Sequence, residues 1–334
     1  MPPTKKILSE GTVKSADQMI VDFINVGQGN AVLVSFPNGN HLLVDCGSQQ
    51  KSKSGKAFQH AQSYITKVTG GEQIHTVVLS HGDTDHTAFV PYLAETKNPK
   101  VVSYAGKRSH LDDDVLLWIQ GLEKGKKTTV YKYSANYSCK SPDADYGSPT
   151  NDGEPQIYTL SANYGDTSNS NSVVLFITYG TQAVLLTGDA EWDTETFILK
   201  QFPKSFLKQC TLFMLAHHGS YYSTLPAFLG ALAPNFATIS ASGTNMSYAH
   251  PECTTAEMVA EKLVNTAVMH TVVCSPNKGE PYKTDNTQRA LLVTATNGDI
   301  RYVTDGTNFK ILASSTTTGK AVFDYKRVVD KLVF

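Results

Sequence analysis

At 334 residues the chain is one large domain or two ordinary ones, long enough to bury a sizeable core. Its 29 Lys+Arg against 30 Asp+Glu leave a net charge of −1, which excludes a protein that gathers nucleic acid through a global positive field. The five cysteines, Cys46, Cys139, Cys210, Cys253 and Cys274, are odd in number and lack CxxC spacing; they argue against a disulfide framework and a zinc–thiolate site, and for a reducing compartment.

The amino terminus has no apolar core of signal-peptide length, and no stretch approaches a membrane span, so the expectation is a soluble cytoplasmic protein with no membrane contact. Strands are predicted over 19–24, 31–36 and 41–44, with a hairpin signal at Asn38-Gly39. Apolar residues at helical spacing from Lys56 predict a helix ending at Gly70-Gly71. The β-branched run Thr76 to Ser80 predicts a buried strand, and a short helix is expected over 87–95. A strand follows at 100–104. A helix at 111–122 opens on Asp112, Asp113 and Asp114, acids placed as the helix dipole prefers. Residues from about 105 to 165 form an expected insertion, polar and tyrosine-rich in its second half. Further strands are predicted over 173–179, 182–187, 211–216, 236–240, 271–275, 291–296 and 300–303. Helices are predicted over 191–202 and 225–233, and another from a Thr254/Glu257 capping box to about Asn265. The hydrolase domain is expected to span 19–306, with 307–334 a linker (Ser314 to Gly319) and an apolar tail.

The residues that carry chemistry gather at strand ends. His81, Asp83, Asp85 and His86 fall within six residues after a buried strand, where unpaired charges would repel and desolvate badly without a shared cation. Asp189 follows Thr187-Gly188, His217-His218 precede Gly219-Ser220, and His250 precedes Pro251. Asp45 ends another strand, either as a carboxylate that orients a ligand or as a turn former. Oxygen and imidazole donors without thiolate suit two divalent metals, Mn2+ or Zn2+, with Mg2+ a third option.

The segment His81-x-Asp83-x-Asp85-His86 resembles the HxHxDH signature of the metallo-β-lactamase superfamily, with Asp83 at the second histidine. That replacement, with Asn25 to Asn30, Asp45-x-Gly47, Asn171-Ser172, Thr187-Gly188-Asp189, His217 to Ser220, and Asn245 with Tyr248 to Pro251, resembles the soluble hydrolase domain of ComEC-type competence (DNA-uptake) proteins. The branch usually has Asp at Asn30 and Gly at Ala249, and the membrane-channel segments have no counterpart in this sequence.

The resemblance implies an α/β fold, an αββα sandwich of two mixed β-sheets flanked by helices. It implies that His81 and Asp83 hold one metal, Asp85 and His86 the other, and that Asp189 bridges them. His217 or His218 completes one shell, and His250 completes the other or protonates the leaving group. Asp85, Asp189 and His250 are the expected catalytic residues, and Asp45 and Asn171 sit behind the ligands. Two such metals lower the pKa of a shared water, so that hydroxide is available at neutral pH for phosphodiester cleavage. The expected function is a metal-dependent phosphodiesterase or nuclease acting on nucleic acid or a nucleotide. The alternatives are hydrolysis of a lactone or thioester, or a metal-binding effector that engages a protein partner, or itself, through the tail. His41, His60, His75, His110 and His270 are read as ordinary structural histidines. Among the basic clusters, Lys97, Lys100, Lys107 and Arg108 are expected to flank the site, and Lys51, Lys53 and Lys56 to be solvated. Tyr131, Tyr133, Tyr137, Tyr146, Tyr158 and Tyr164 either stack bases or pack the long loop.

Overall fold

The computed structural model describes residues 17–143, 154–244, 248–263, 266–314 and 323–324. Asn245, Tyr146 and most of the expected linker and tail lie outside these residues. Strands β1 (Met19–Phe23), β2 (Ala31–Ser35), β3 (His41–Cys46), β4 (Thr76–Leu79), β5 (Val101–Tyr104) and β6 (Thr129–Lys132) form most of one sheet. Next come β7 (Gln156–Ser161), β8 (Val174–Tyr179), β9 (Gln182–Leu186), β10 (Leu212–Met214) and β11 (Phe236–Ile239). The chain ends with β12 (Thr266–Cys274), β13 (Lys283–Arg289), β14 (Leu291–Val293), β15 (Ile300–Thr304), β16 (Phe309–Ala313) and β17 (Phe323–Asp324). Among the described residues, a nine-stranded sheet runs β17-β16-β15-β1-β2-β3-β4-β5-β6 and a six-stranded sheet runs β14-β11-β10-β9-β8-β7. Both mix parallel and antiparallel pairs.

Strand residues are buried on both faces because each sheet has a partner sheet on one side and helices on the other. In β2, Val32 and Val34 enter the layer between the sheets, with Leu175, Ile177, Val184 and Leu186 from the second sheet. Their neighbours Ala31 and Leu33 turn outward, onto a cluster with Ala61 and Ile65 of the helix Lys56–Thr69 and Ile119 of the helix Asp113–Gly125. In the second sheet, Val174, Phe176 and Leu185 face outward toward Ile198, Phe228 and Val259, on the helices Trp192–Gln201, Pro226–Leu232 and Cys253–Lys262. The architecture is the expected helix–sheet–sheet–helix sandwich.

Several local expectations are corrected. The helix expected over 87–95 is a single turn at Thr84–Thr87 followed by 3-10 turns at Val90–Tyr92 and Ala94–Thr96, because Pro91 has no N–H and its ring blocks continuation. The expected insertion is part of the scaffold at both ends, since β6 extends the first sheet and β7 the second. Strand β16 pairs with β15 beyond the boundary expected at residue 306. Strand β13, whose side chains are mostly exposed, had no apolar alternation to announce it. The helix Cys253–Lys262 starts on Glu252 with no side-chain cap, so the Thr254/Glu257 capping box does not form.

The cysteine reading also changes. Cys253 and Cys274 form a disulfide across 21 residues, where Cys253 N–H bonds the Ser275 carbonyl at 2.9 Å. An odd count and unpatterned spacing cannot foresee a pair that tertiary contact brings together, and the argument for a reducing compartment falls with it. Among the described residues, no helix is long and apolar enough to cross a membrane.

Candidate metal centre

The parallel strands β3, β4 and β5 of one sheet and β9, β10 and β11 of the other bring their carboxyl ends to one edge of the sandwich. Open α/β sheets place ligands at this end, where side chains leave the strands before the helices begin. Asp45 lies near the end of β3, His81 follows β4, Asp189 follows β9, and His217-His218 follow β10. The helix turn Thr84–Thr87 carries Asp85 and His86, and the chain at Gly47 lies directly against it. A Cβ at Gly47 would stand 2.6 Å from backbone atoms of Thr84, His86 and Thr87, so only glycine allows the approach.

The buried Asp189 carboxylate is the centre of the cluster. Its Oδ1 is 3.0 Å from His86 Nε2, and its Oδ2 is 3.6 Å from His218 Nε2, 3.8 Å from His217 Nε2 and 3.9 Å from His81 Nε2. On one side Asp83 Oδ2 is 3.7 Å from His81 Nε2; on the other, Asp85 Oδ2 is 3.5 Å from His218 Nε2. His250 closes the group, its ring 5.2 Å from that of His217 and 6.4 Å from that of His218.

Hydrogen bonds behind the cluster decide which imidazole nitrogens face it. Asp45 can only accept, and it lies 2.7 Å from His86 Nδ1, so that nitrogen carries the proton and Nε2 presents a lone pair. The Ser240 carbonyl takes His218 Nδ1–H at 2.7 Å with the same result. Ser80 Oγ–H donates to Asp45 at 2.6 Å, leaving its oxygen to accept from His81 Nδ1 at 3.1 Å. Lone pairs of His81, His86 and His218 therefore converge with carboxylate oxygens, and His86 Nε2 and His218 Nε2 stand 3.2 Å apart. His81 Nε2, Asp189 Oδ1, His217 Nδ1 and His250 Nδ1 are buried without a hydrogen-bond partner. Buried acceptors crowded this way need a cation or extra protons between them. The set fits divalent metal: His81, His86 and Asp189 offer donor atoms within 4.8 Å of one another, as do Asp85, His86 and His218.

Without metal, charge neighbours set the titration. Burial alone would depress His86, but Asp189 and Asp45 hold it well above the ordinary histidine range; burial also opposes His218, which Asp189 and Asp85 raise. Burial tends to raise Asp85 and Asp189, yet neighbouring imidazoles keep both below the usual carboxylate range. Burial, reinforced by His218 and His217, pushes His250 down to about 3, and burial also lowers His217. His217 and His218 both sit at positive φ, 52° and 54°. Such backbone costs about 1–3 kcal/mol per residue and persists where surrounding structure over-determines it.

The structure brings together His81, Asp83, Asp85, His86, Asp189, His217, His218 and His250, with Asp45 directly behind His86. The Asn171 amide donates to the Thr167 carbonyl at 2.7 Å within its own loop. Serines support the ligands: Ser172 belongs to the Asn171-Ser172 block that carries the resemblance, without a role of its own there, and the sequence does not single out Ser168. Ser172 Oγ accepts from Asp189 N–H at 3.0 Å, and Ser168 Oγ donates to Asp83 at 2.7 Å. The departure at Asn30 is accommodated by its amide, which donates to Asp45 at 3.1 Å. Ala249 takes φ 61°, a conformation that suits the glycine common there.

Asp83 and Asp85 open onto a cleft of about 440 Å³ lined also by Gln49, Lys51, Thr84, His110 and Tyr248. The basic group expected beside the site does not line it, and Arg108 instead pairs with Glu123 and Tyr104. Of the loop tyrosines, Tyr133 is in the core, Tyr137 and Tyr158 pack against it and Tyr164 stacks on Phe197. They serve packing, because that segment supplies core strands.

Known proteins agree with this architecture. The family described as Metallo-beta-lactamase superfamily matches residues 24–243. ComE operon protein 3 of Bacillus subtilis (strain 168) is 29% identical over 244 residues, covering 69% of this chain and 29% of that protein. Competence protein ComA of Neisseria gonorrhoeae is 26% identical over 227 residues, covering 68% of this chain and 27% of that protein. The chain thus spans less than a third of the length of these relatives. Among solved structures, the metallo-beta-lactamase fold protein YhfI from Bacillus subtilis aligns with a TM-score of 0.42 at 18% identity, covering 67% of this chain and 86% of that one. CmlA, a diiron beta-hydroxylase from Streptomyces venezuelae, aligns with a TM-score of 0.43 at 14% identity, covering 73% and 51%. With the family match spanning most of the chain and the histidine–carboxylate cluster at the shared edge of two mixed sheets, this protein belongs to the metallo-β-lactamase superfamily, whose fold supports metal-dependent hydrolysis.

Proposed function

We propose that this protein is a metal-dependent phosphodiesterase or nuclease acting on nucleic acid or nucleotide phosphodiesters, with Mn2+ or Zn2+ as its metals. The observation that carries this reading is a donor set with three carboxylates, the buried Asp189 and, opening onto a polar cleft, Asp83 and Asp85. His81, Asp83 and His217 would hold one ion and Asp85, His86 and His218 the other, with Asp189 between them. His250 lies against both His217 and His218 with an unpartnered Nδ1, placed to complete one metal's ligands or to serve the leaving group. When bound, two divalent ions supply Lewis-acid stabilisation for phosphoryl oxygens and acidify a nucleophilic water. The chain's own contribution is preorganisation: Asp45, Ser240 and Ser80 lock the imidazoles so that little reorganisation accompanies the reaction. Two divalent ions offer Lewis-acid contacts to both non-bridging oxygens of an anionic phosphodiester, which favours it over a neutral lactone or thioester. Relatives named for competence and recombination support a nucleic-acid substrate.

The test is metal analysis together with digestion of single-stranded, double-stranded and cyclic substrates. Metal-loaded wild type is expected to cleave at least one phosphodiester, and Asp189→Ala to lose most of the metal and the activity. Wild type that binds no divalent metal, or an Asp189→Ala variant as active as wild type, would end this reading.

A further inference from the structure

The cleft beside Asp83 and Asp85 is lined by Lys51 and His110, and by Tyr248, whose ring is 53% exposed and lies 6.3 Å from that of His250. Lys51 and His110 are both tied to the metal turn. Asp112 takes Lys51 Nζ at 3.4 Å and also the hydroxyl of Thr84 at 2.8 Å, and Thr84 begins the helix turn that holds Asp85 and His86. A Cβ on Gly82 would meet the His110 carbonyl oxygen at 2.7 Å, so this glycine lets the His110 backbone lie directly on the turn between His81 and Asp83. A cation, an imidazole and an exposed ring therefore border the two carboxylates at defined positions.

We propose that this cleft binds one nucleotide unit of a single strand next to the reacting phosphodiester, with Tyr248 stacking on the base and Lys51 and His110 taking the adjacent phosphate. The inference rests on the phosphodiesterase reading for its substrate class and adds the strand state and the residues that select it. A base can lie on a tyrosine face only when it has left its own stack, which favours single strands over duplex. Pockets for small ligands measure about 300–1,000 Å³, and a cleft of about 440 Å³ falls in that range. The net charge of −1 gives no global attraction to a polyanion, so the local cation has to supply the phosphate contact.

The experiment is equilibrium binding of a fluorescein-labelled, phosphorothioate-linked oligothymidylate to the metal-loaded protein, read by anisotropy. Tyr248→Ala is expected to weaken binding about tenfold and Tyr248→Phe to keep it. Lys51→Ala should weaken binding several-fold and flatten its salt dependence by about one phosphate contact. Tyr131→Ala, which removes another exposed ring on strand β6, should bind as wild type does. Unchanged metal content in each variant shows that the centre is intact. Wild-type binding in both Tyr248→Ala and Lys51→Ala overturns the proposal, as does equal affinity for a duplex of the same length. If binding depends on Tyr248 and Lys51 while no diester is hydrolysed, the cleft assignment stands and the phosphodiesterase reading alone fails.

Discussion

The Asp45 carboxylate stands 2.7 Å from His86 Nδ1, buried together with it, and this one bond turns the opposite nitrogen of the ring toward Asp189. Asp45 is itself held by Ser80 N–H at 2.7 Å, Ser80 Oγ at 2.6 Å and Asn30 Nδ2 at 3.1 Å. A carboxylate satisfied by four donors is a fixed point, so the ring that leans on it is fixed too.

The first prediction follows from that bond. Asp45→Asn would set an amide NH2 against either His86 Nδ1–H or the Ser80 N–H and leave the imidazole a neutral, weaker acceptor, so its tautomer and orientation would be less firmly held. Metal affinity should fall about 10–100-fold. Competition titration with a chromophoric chelator measures it, and an unchanged affinity would show that Asp45 is merely a turn residue.

Asp83 puts a hard oxygen where the family signature has an imidazole, and it lies 3.7 Å from His81 Nε2. Asp83→His is expected to shift metal preference toward zinc with the fold intact, whereas wild type should be more active with manganese than with zinc at equal occupancy. Asp83→Ala should lose far more activity than Asp83→His. Phosphodiester hydrolysis across a metal series, with occupancy measured for each variant, provides the comparison. Identical metal profiles for wild type and Asp83→His would remove Asp83 from the ligand set.

The titrating cluster should contribute most to the stability of the metal-free protein near the ordinary histidine pKa of 6.5, against the opposite slope of Glu195, whose pKa burial raises to about 7. His86 and His218 have folded pKa values raised by carboxylates, so their contribution is complete below 6.5 and is lost as pH rises through the folded values. His217 and His250 are lowered, so the unfolded chain binds protons first as pH falls below 6.5 and stability drops on that side as well. Asp85 and Asp189, also lowered, lose their contribution only at more acid pH. Urea midpoints in EDTA from pH 4 to 9 test the shape; a midpoint that climbs steadily to pH 9 contradicts it. Metal binding must displace the His86 and His218 protons, so affinity for metal should rise with pH over the same range.

Away from the centre, Arg301 Nε donates to Asp22 Oδ1 at 2.6 Å and both residues are buried, with Tyr64 OH donating to the same carboxylate oxygen at 2.8 Å. The pair locks β1 to β15, which brings the carboxyl-terminal part of the chain back to the first sheet. Arg301→Met leaves a buried carboxylate without its counter-ion and should cost about 3–5 kcal/mol. Replacing both residues, Asp22→Leu with Arg301→Met, should cost less than the single change. Chemical denaturation of the three proteins decides it, and a double variant less stable than Arg301→Met removes the unpaired charge as the cause.

The sequence by itself determined the cluster of ligands, and its resemblance to the metallo-β-lactamase superfamily implied the sandwich. Continuous apolar runs ended just before His81, Asp189 and His217, and a dense run of donors after a buried strand has few uses other than binding a cation. Apolar periodicity and ligand spacing are local properties, and a linear reading captures local properties. What surrounds the ligands was decided by tertiary contact. Ser80, Ser168 and Ser240 orient the site through single hydroxyl or carbonyl atoms that leave no pattern in the chain, and the Asn171-Ser172 block did not say that Ser172 would hold the Asp189 N–H. His110 and Lys51 looked like ordinary surface residues, and they border the cleft only because Gly82 and Asp112 draw them onto the metal turn. Cys253 and Cys274 meet because β12 ends against the start of a helix, and β13 pairs with that strand through its backbone while its side chains remain exposed. Backbone pairing and close approach depend on which segments become neighbours in space, and only the folded chain supplies that.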